Sequence, residues 1–246
     1  RDIFTEWREV EDISNVKNIA SMFTDMSFRA KFNHEVWEHM TMGKHADKPQ
    51  VVKGAKKVSE YYEQVLKDMK EAGVKNADKM VYATDNLMYV PRIHNGLMFA
   101  NKITGISQSG KEALISKFSE MLTKTPEDRK LLVAREYIEN MIKRDVTASK
   151  TFSKESREAL QKELTKKGLE ADEIEEVISA ISGSYGRTKA RIHMDYDKFD
   201  TVSVDINGIP TNITINDLFM TDISSLSNTL FNQAGGHVAF AANGYK

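Results

Sequence analysis

Apolar side chains recur every three or four residues along most of the chain, which is the spacing of an amphipathic helix. Residues 44–54 combine His, Asp, Pro and Gly without periodicity, so we expect a loop there, and residues 74–110 also break the helical pattern. The helical stripes cover residues 13–26, 32–40, 58–69, 114–122, 131–142, 160–164 and 174–181.

Capping residues mark several of the helix boundaries. Gly73 is expected to end the helix of residues 58–69, because glycine adopts the left-handed conformation that follows many helices. Thr125-Pro126 predicts a helix start, with Thr as N-cap and Pro at the first helical position. Two later helices, one capped by Ser153 and stopping at Gly168 and one stopping at Gly183, predict a helical hairpin.

A β-hairpin is predicted late in the chain. Apolar and polar residues alternate over 201–206 and again over 209–215, and Asn207-Gly208 between them suits a two-residue type I′ turn. Asn216 is expected to cap a short helix after it. We therefore expect a mainly α multi-helix segment with one late β-hairpin. Its three regions would be a helical region (1–90), a charged helical region with the helical hairpin (91–183), and a linker, β-hairpin and C-terminal helices (184–246).

Composition excludes some chemistry and leaves the partner open. The 246 residues contain no cysteine, so disulfides, thiolate catalysis and cysteine zinc sites are excluded. A net charge of −1 gives no global attraction to nucleic acid or anionic lipid. The sequence contains no run of 18 apolar residues, so we expect no membrane-spanning helix in it. Because the sequence begins at Arg1 rather than Met, we expect it to be a segment of a longer polypeptide.

The segment His34 to His39 resembles a metalloprotease motif without matching it. Two zinc-binding histidines on a helix stand four residues apart, whereas these stand five apart, about 140° around the helix. We expect i,i+4 ion pairs of His34 with Glu38 and of Glu35 with His39 on a solvated helix face, with Trp37 in the core. A metal-dependent hydrolase is the alternative.

Four aspartates precede or enter the β-hairpin, where paired carboxylates could bind a cation or act as acid and base. The spacing lacks the Gly and Glu that a calcium loop requires. We expect no metal and no cofactor, and a carboxylate-dependent hydrolase is the alternative. The four residues are Asp195, Asp197, Asp200 and Asp205.

The glycines at 183 and 186 introduce a basic stretch without the spacing of a phosphate-binding P-loop. Arg187, Lys189 and Arg191 alternate, so an extended backbone would direct all three to one side. We expect a solvated linker here, and contact of the three residues with phosphate or an acidic partner is the alternative.

The stretch from Leu226 to Ala242 is apolar and rich in small residues, but Gly235-Gly236 weakens it as an isolated helix. We expect a neighbouring molecule to order it, with Phe231 and Val238 on the assembly surface. Packing on the segment's own core is the alternative.

The order of these features resembles a known family. The features are Tyr89-Val90-Pro91-Arg92, the basic stretch followed by Met194-Asp195, the hairpin leading into Asn216-Asp217-Leu218 with Asp222 after it, and a closing Gly- and Ala-rich segment. Over residues 13–244 the chain resembles the central part of the large internal core protein of T7-like podoviruses, which carries a lytic transglycosylase at its N-terminus. The muramidase-like domain of that family is absent from these 246 residues.

The resemblance implies a structural, non-enzymatic role for this segment. Proteins of that family lie in the capsid interior of the virion and are ejected ahead of the DNA. They then assemble a conduit across the host envelope, which places them in the periplasm. The expected partners are sister copies, other internal virion and ejection proteins at the portal side of the core, and genomic DNA in the channel. No catalytic residue carries over from the motifs.

Overall fold

The computed structural model describes residues 3–10, 26–74, 90, 92–142, 154–182, 194–199 and 201–243. Over these residues it has ten α-helices and one two-stranded antiparallel sheet, which confirms the mainly α fold with a late β-hairpin. The chain divides into two compact units, Arg1–Pro91 with Thr221–Lys246, and Arg92–Met220. This division differs from the three expected regions, because the β-hairpin belongs with the helices before it and the last helix belongs to the N-terminal unit.

The described helices range from 4 to 23 residues in length. The elements in chain order are α1 (Ile3–Val10), α2 (Met26–Met42), α3 (Pro49–Glu71), α4 (Gly96–Lys102), α5 (Gln108–Met121), α6 (Glu127–Ile142), α7 (Lys154–Lys166), α8 (Ala171–Ser182), a 3-10 turn (Tyr196–Lys198), β1 (Val202–Ile206), β2 (Ile209–Ile213), α9 (Ile215–Leu218) and α10 (Ile223–Ala242).

The first unit packs α1, α2, α3 and α10 around an aromatic core. Phe32 on α2 contacts Trp7 and Phe4 of α1, with ring centroids 5.2 and 5.8 Å apart. The buried Trp7 indole donates a 2.9 Å hydrogen bond to the Glu35 carboxylate. This bond matters because a buried indole N–H without an acceptor is costly.

The loop expected over residues 44–54 is shorter than predicted, because α3 already begins at Pro49. Pro49 suits the first turn, where a helix needs no N–H from it. Val51 and Ala55 are fully buried on the same face as Tyr62 and Leu66 further along. Gly54 permits the close approach of α2, since a Cβ there would lie 3.1 Å from Phe32 and 3.2 Å from Val36. As predicted, Gly73 follows the helix in the left-handed backbone conformation, with φ +73°.

The second unit surrounds a core in which the rings of Phe118 (α5) and Tyr137 (α6) stack 4.2 Å apart. Strand β1 covers α5 with Val204 and Ile206, and Ile213 of β2 is buried in the same core. Gly110 allows this contact, because a Cβ there would lie only 3.1 Å from Val204.

The turn of the β-hairpin is as predicted, and the helix after it is capped differently. Asn207 and Gly208 have φ +53° and +81°, and Ile206 pairs with Ile209 across the turn. Thr214, rather than Asn216, is the N-cap of α9, in a capping box with Asp217. The expected cap lies inside the helix because the chain turns into it two residues earlier.

Helices α7 and α8 form the predicted helical hairpin, with the left-handed Gly168 (φ +91°) between them. Arg157 of α7 pairs with Glu175 of α8, and Arg129 of α6 pairs with Glu170 and Glu173. These ion pairs join the hairpin to α6. The predicted stripe of 13–26 apart from Met26, the cap Ser153 and the stop at Gly183 lie outside the described residues.

Candidate functional site

The last helix, α10, is firmly anchored at its first half. Asp222 is its N-cap and accepts a hydrogen bond from the Ser225 backbone N–H at 3.1 Å. The Asn33 side chain of α2 donates to Asp222 at 2.7 Å and to Ser224 at 2.9 Å. The Tyr62 hydroxyl of α3 lies 3.0 Å from the Ser227 hydroxyl. The first two turns of α10 are therefore fixed to both neighbouring helices.

Burial along α10 ends at Ala234. Ile223, Leu226, Leu230 and Ala234 face the core and are at most 7% exposed. Beyond Ala234 no described residue of the helix is buried, although the remaining residues are almost all apolar or small. The helix thus extends for about two turns beyond the core that supports it.

Two large aromatic side chains of α10 are exposed to solvent. Phe231 is 57% exposed and Phe240 is 63% exposed. Phe231 stacks on the half-exposed Tyr61 of α3, with ring centroids 6.4 Å apart, and Val238 is half-buried. We call Tyr61, Phe231 and Val238 the α10 surface, because Phe240 stands nine residues after Phe231 and so lies about 180° around the helix from it. The sequence predicted Phe231 and Val238 for it, whereas Tyr61 was missed.

The composition of α10 distinguishes it from the other helices. Its 20 residues contain no Asp, Glu, Lys or Arg. The helix also contains Gly235 and Gly236, each of which costs about 1 kcal/mol relative to Ala in a helix interior. A Cβ at either glycine would meet no atom of the described residues within 4 Å, so the packing of that part of the chain does not require glycine at these positions. An uncharged, partly apolar face of this kind is typical of an interaction surface.

The second unit buries a network of ionisable side chains, which the sequence analysis did not find. The Arg92 guanidinium lies 2.9 Å from Glu176 Oε2 and donates from Nε to the Tyr196 hydroxyl at 2.7 Å. His94 Nε2 lies 3.1 Å from Glu176 Oε1, and its Nδ1 lies 2.6 Å from the Tyr137 hydroxyl. We call these five residues the Arg92 network. Of them, only Arg92 belonged to a motif noted in the sequence.

The Arg92 network is arranged to hold structure. Burial alone lowers the pKa of Arg92, but the charge and the hydrogen bonds of Glu176 and Tyr196 together outweigh this effect and raise that pKa above its ordinary value. Burial raises the pKa of Tyr137 well above its ordinary value, so its hydroxyl stays protonated and can donate to His94. The segment of Arg92 and His94 is thereby tied to α6, α8 and the 3-10 turn.

The histidines at 34 and 39 point to separate partners. His34 lies 3.8 Å from Glu38, as predicted, and burial lowers its pKa, an effect that Glu38 opposes. Glu35 differs from the prediction, because it is buried and accepts from Trp7 and from Lys48 rather than pairing with His39. His39 instead lies 2.7 Å from the Lys44 carbonyl. Trp37 is in the core, 2% exposed.

The aspartates near the β-hairpin stabilise local turns. Asp195 accepts from the backbone N–H of Asp197, and Asp205 accepts from that of Gly208, both at 3.1 Å. Asp200 lies outside the described residues, as do Arg187, Lys189 and Arg191, so the solvated linker expected at these three basic residues stays a prediction. Among the described residues no group of three or more His, Asp or Glu could hold a metal ion.

A cleft of about 290 Å³ lies between α2, α3 and the start of α10. Its lining is apolar, amide or hydroxyl in character, with no titratable side chain, so it offers no acid or base. The lining residues are Phe32, Asn33, Val36, Gly54, Val58, Ile223, Ser224, Ser227 and Asn228.

None of the described helices combines the length and apolar character that crossing a bilayer requires. Comparison of the chain with models of known protein families, with curated proteins and with solved structures gave no match. The α10 surface and the Arg92 network are therefore interpreted from their own chemistry.

Proposed function

We propose that this chain is a structural component of a phage internal virion core and genome-ejection apparatus, and that it joins the assembly through the α10 surface. The single observation that carries the assembly role is the exposure of large apolar side chains on α10, a helix without Asp, Glu, Lys or Arg. Phe231 and Phe240 are each more than half exposed, and covering them with another protein is favourable by about 25 cal/mol for each Å² of apolar surface buried.

The phage setting rests on the resemblance in the sequence and not on the α10 surface. The proposed partners are sister copies and other internal virion proteins, and the proposed place is the capsid interior before ejection and the host envelope after it. A conduit for DNA would bring the basic residues at 187, 189 and 191 close to phosphates.

Electron microscopy of the concentrated protein, alone and with other internal virion proteins, tests the proposal. We expect a ring or tube with an axial channel. Phe231→Asp should abolish the particles, because a carboxylate would be buried in the contact. Leu131→Asp is the matched control, since Leu131 is an equally exposed apolar residue (56%) on α6 and should leave the particles intact. Dispersed particles under all conditions would contradict the assembly role.

We also expect this chain to lack hydrolytic activity of its own. Zymography on peptidoglycan should show no clearing, and metal analysis should find no stoichiometric zinc. Clearing that disappears in His34→Ala would favour the metal-dependent hydrolase instead.

A further inference from the structure

The described arginines of the two units differ in their partners. In the first unit, Arg8 of α1 and Arg29 of α2 form no ion pair with any described residue. In the second unit, each described arginine is neutralised by at least one glutamate. These pairs are Arg92–Glu176, Arg129–Glu173, Arg135–Glu112 and Arg157–Glu175.

Arg8 differs further from Arg29 because it is buried. Only 8% of Arg8 is exposed, and its Nε and Nη1 atoms are buried without an acceptor among the described residues. A guanidinium keeps its charge, and a buried charge without a counter-ion is unfavourable. The described carboxylates of α1 and α2 already have other partners, so Arg8 needs an anion from elsewhere. Those pairs are Glu6–Lys53, Glu35–Lys48 and Glu38–His45.

The two arginines approach the ring of Phe4 from different helices. Phe4 and Arg8 stand four residues apart on one face of α1, and helical side chains lean toward the N-terminus, so Arg8 is directed back toward Phe4. The exposed Arg29 guanidinium of α2 lies 5.7 Å from the centroid of the Phe4 ring. Helix α2 begins shortly before Arg29 and has no acidic residue in its first turn, where the helix dipole favours negative charge. An anion beside Phe4 would therefore meet positive charge from both helices.

We propose that Arg8 and Arg29 bind a phosphate group beside Phe4, at the start of α2. This site goes beyond the proposed assembly function, which depends on α10. A phosphate monoester carries a charge of about −1.5 to −2 at pH 7 and three strongly accepting oxygens, which suits two guanidinium groups. A carboxylate would neutralise only one of them. The planar guanidinium also matches phosphate geometry, because it can donate two parallel hydrogen bonds.

Isothermal titration calorimetry of the full chain with inorganic phosphate, at constant ionic strength, tests the site. We expect one phosphate per chain. Arg8→Met and Arg29→Gln should each weaken binding by about tenfold or more, because each removes a charge-assisted hydrogen bond. Arg135→Gln is the matched control and should bind phosphate as the wild type does, since Arg135 is exposed but paired with Glu112. Circular dichroism confirms that each variant is folded, and if Arg8→Met does not fold, the exposed Arg29→Gln decides.

Thermal unfolding separates a phosphate site from a purely structural role of Arg8. Added phosphate should raise the melting temperature of the wild type and of Arg135→Gln, because a ligand that binds the folded state stabilises it, but not that of Arg8→Met. Without phosphate, Arg8→Met should melt no lower than the wild type, because it removes an unpaired buried charge. A lower melting temperature together with an unchanged phosphate effect would overturn the proposal.

Two further probes identify the source of the phosphate. Oligothymidylate without a terminal phosphate offers only backbone phosphates, and acetate offers a carboxylate. If the oligothymidylate binds and Arg29→Gln weakens that binding, the site accepts nucleic-acid phosphates. If only inorganic phosphate binds, the site takes a free or terminal phosphate, and the proposal stands in both cases. Acetate binding as tightly as phosphate would overturn it, and so would the absence of saturable phosphate binding or unchanged binding in a folded Arg8→Met or Arg29→Gln variant.

Discussion

Two regions depart in opposite directions from the usual distribution of side chains. The Arg92 network buries charged groups, with Arg92 10% and Glu176 3% exposed. Helix α10 instead exposes apolar groups, with Phe231 and Phe240 more than half exposed. Both arrangements are unfavourable unless something compensates for them.

The two regions differ in how far contacts inside the chain compensate for these arrangements. The two carboxylate oxygens of Glu176 lie 2.9 Å from Arg92 and 3.1 Å from His94. Around Phe231, the stacking partner Tyr61 leaves more than half of the ring exposed. The Arg92 network therefore stabilises the fold, whereas the α10 surface is explained by a partner outside the chain.

The largest expected effect is on the Arg92 network. Glu176→Gln keeps the shape of the side chain but leaves the Arg92 charge buried without a counter-ion. We expect a loss of about 3–5 kcal/mol in the free energy of unfolding, measured with urea. Glu120→Gln is the control, because Glu120 is 51% exposed and its ion pair with Lys117 contributes less than about 1 kcal/mol. Equal, small losses of unfolding free energy in both variants would contradict the structural role of the network.

The buried and the exposed side chains of α10 should respond differently to truncation. Leu226 is fully buried, so Leu226→Ala should cost about 2–5 kcal/mol through lost contacts and a cavity. Phe231→Ala removes a larger side chain but should cost less than about 1 kcal/mol, because more than half of that ring is exposed. Urea unfolding of both variants checks the difference. A greater loss for Phe231→Ala would mean that this ring belongs to the core.

Replacing two helical glycines with alanine should change the stability of the monomer in opposite directions. Gly235→Ala should stabilise the monomer by about 1 kcal/mol, because the added Cβ meets open space and removes the helix penalty of glycine. Gly110→Ala should destabilise it by about 1–3 kcal/mol, because its Cβ would press on Ile106 and Val204 at 3.0–3.1 Å. Thermal unfolding of the two variants measures the sign directly, and destabilisation by Gly235→Ala would show that the chain's own packing needs that glycine.

The smallest stability effect depends on pH and arises at His34. Its pKa is lowered in the folded state by burial, so the unfolded state binds more protons as the pH falls below about 6.5. The stabilising contribution of neutral His34 is thus fully present above that pH and is lost below it. His34→Gln should reduce the fall in stability between pH 7 and pH 5. An unchanged pH profile would show that His34 titrates as it does in the unfolded chain.

Local patterns predicted the elements of this fold, and distant contacts decided the rest. Asn207-Gly208 set the β-hairpin turn through its own backbone preference, so the sequence was sufficient there. Residues 49–54 were predicted as loop from their Pro and Gly, but the buried Val51 and Ala55 make that stretch helical. Gly54 is needed for the approach of α2, which no local pattern reveals.

The candidate sites also differ in whether local sequence or distant contacts explain them. Phe231 and Val238 lie on one helix and could be predicted from its unusual composition. The members of the Arg92 network come from four separate elements, up to 104 residues apart in the chain, and have no common spacing. Glu35 was predicted to be a surface residue, and only the Trp7 indole, 28 residues away, explains its burial.

The most direct test of the central claim is sedimentation velocity combined with thermal unfolding of Phe231→Asp and Val238→Asp. If the α10 surface binds a partner outside the chain, the oligomers of the wild-type protein disappear in both variants. The monomer should then keep its helical circular dichroism and a melting temperature within about 4 °C of the wild type, which corresponds to about 1 kcal/mol for a chain of this size. If both substitutions instead unfold the monomer, the α10 surface is part of the core and the assembly role assigned to it is wrong.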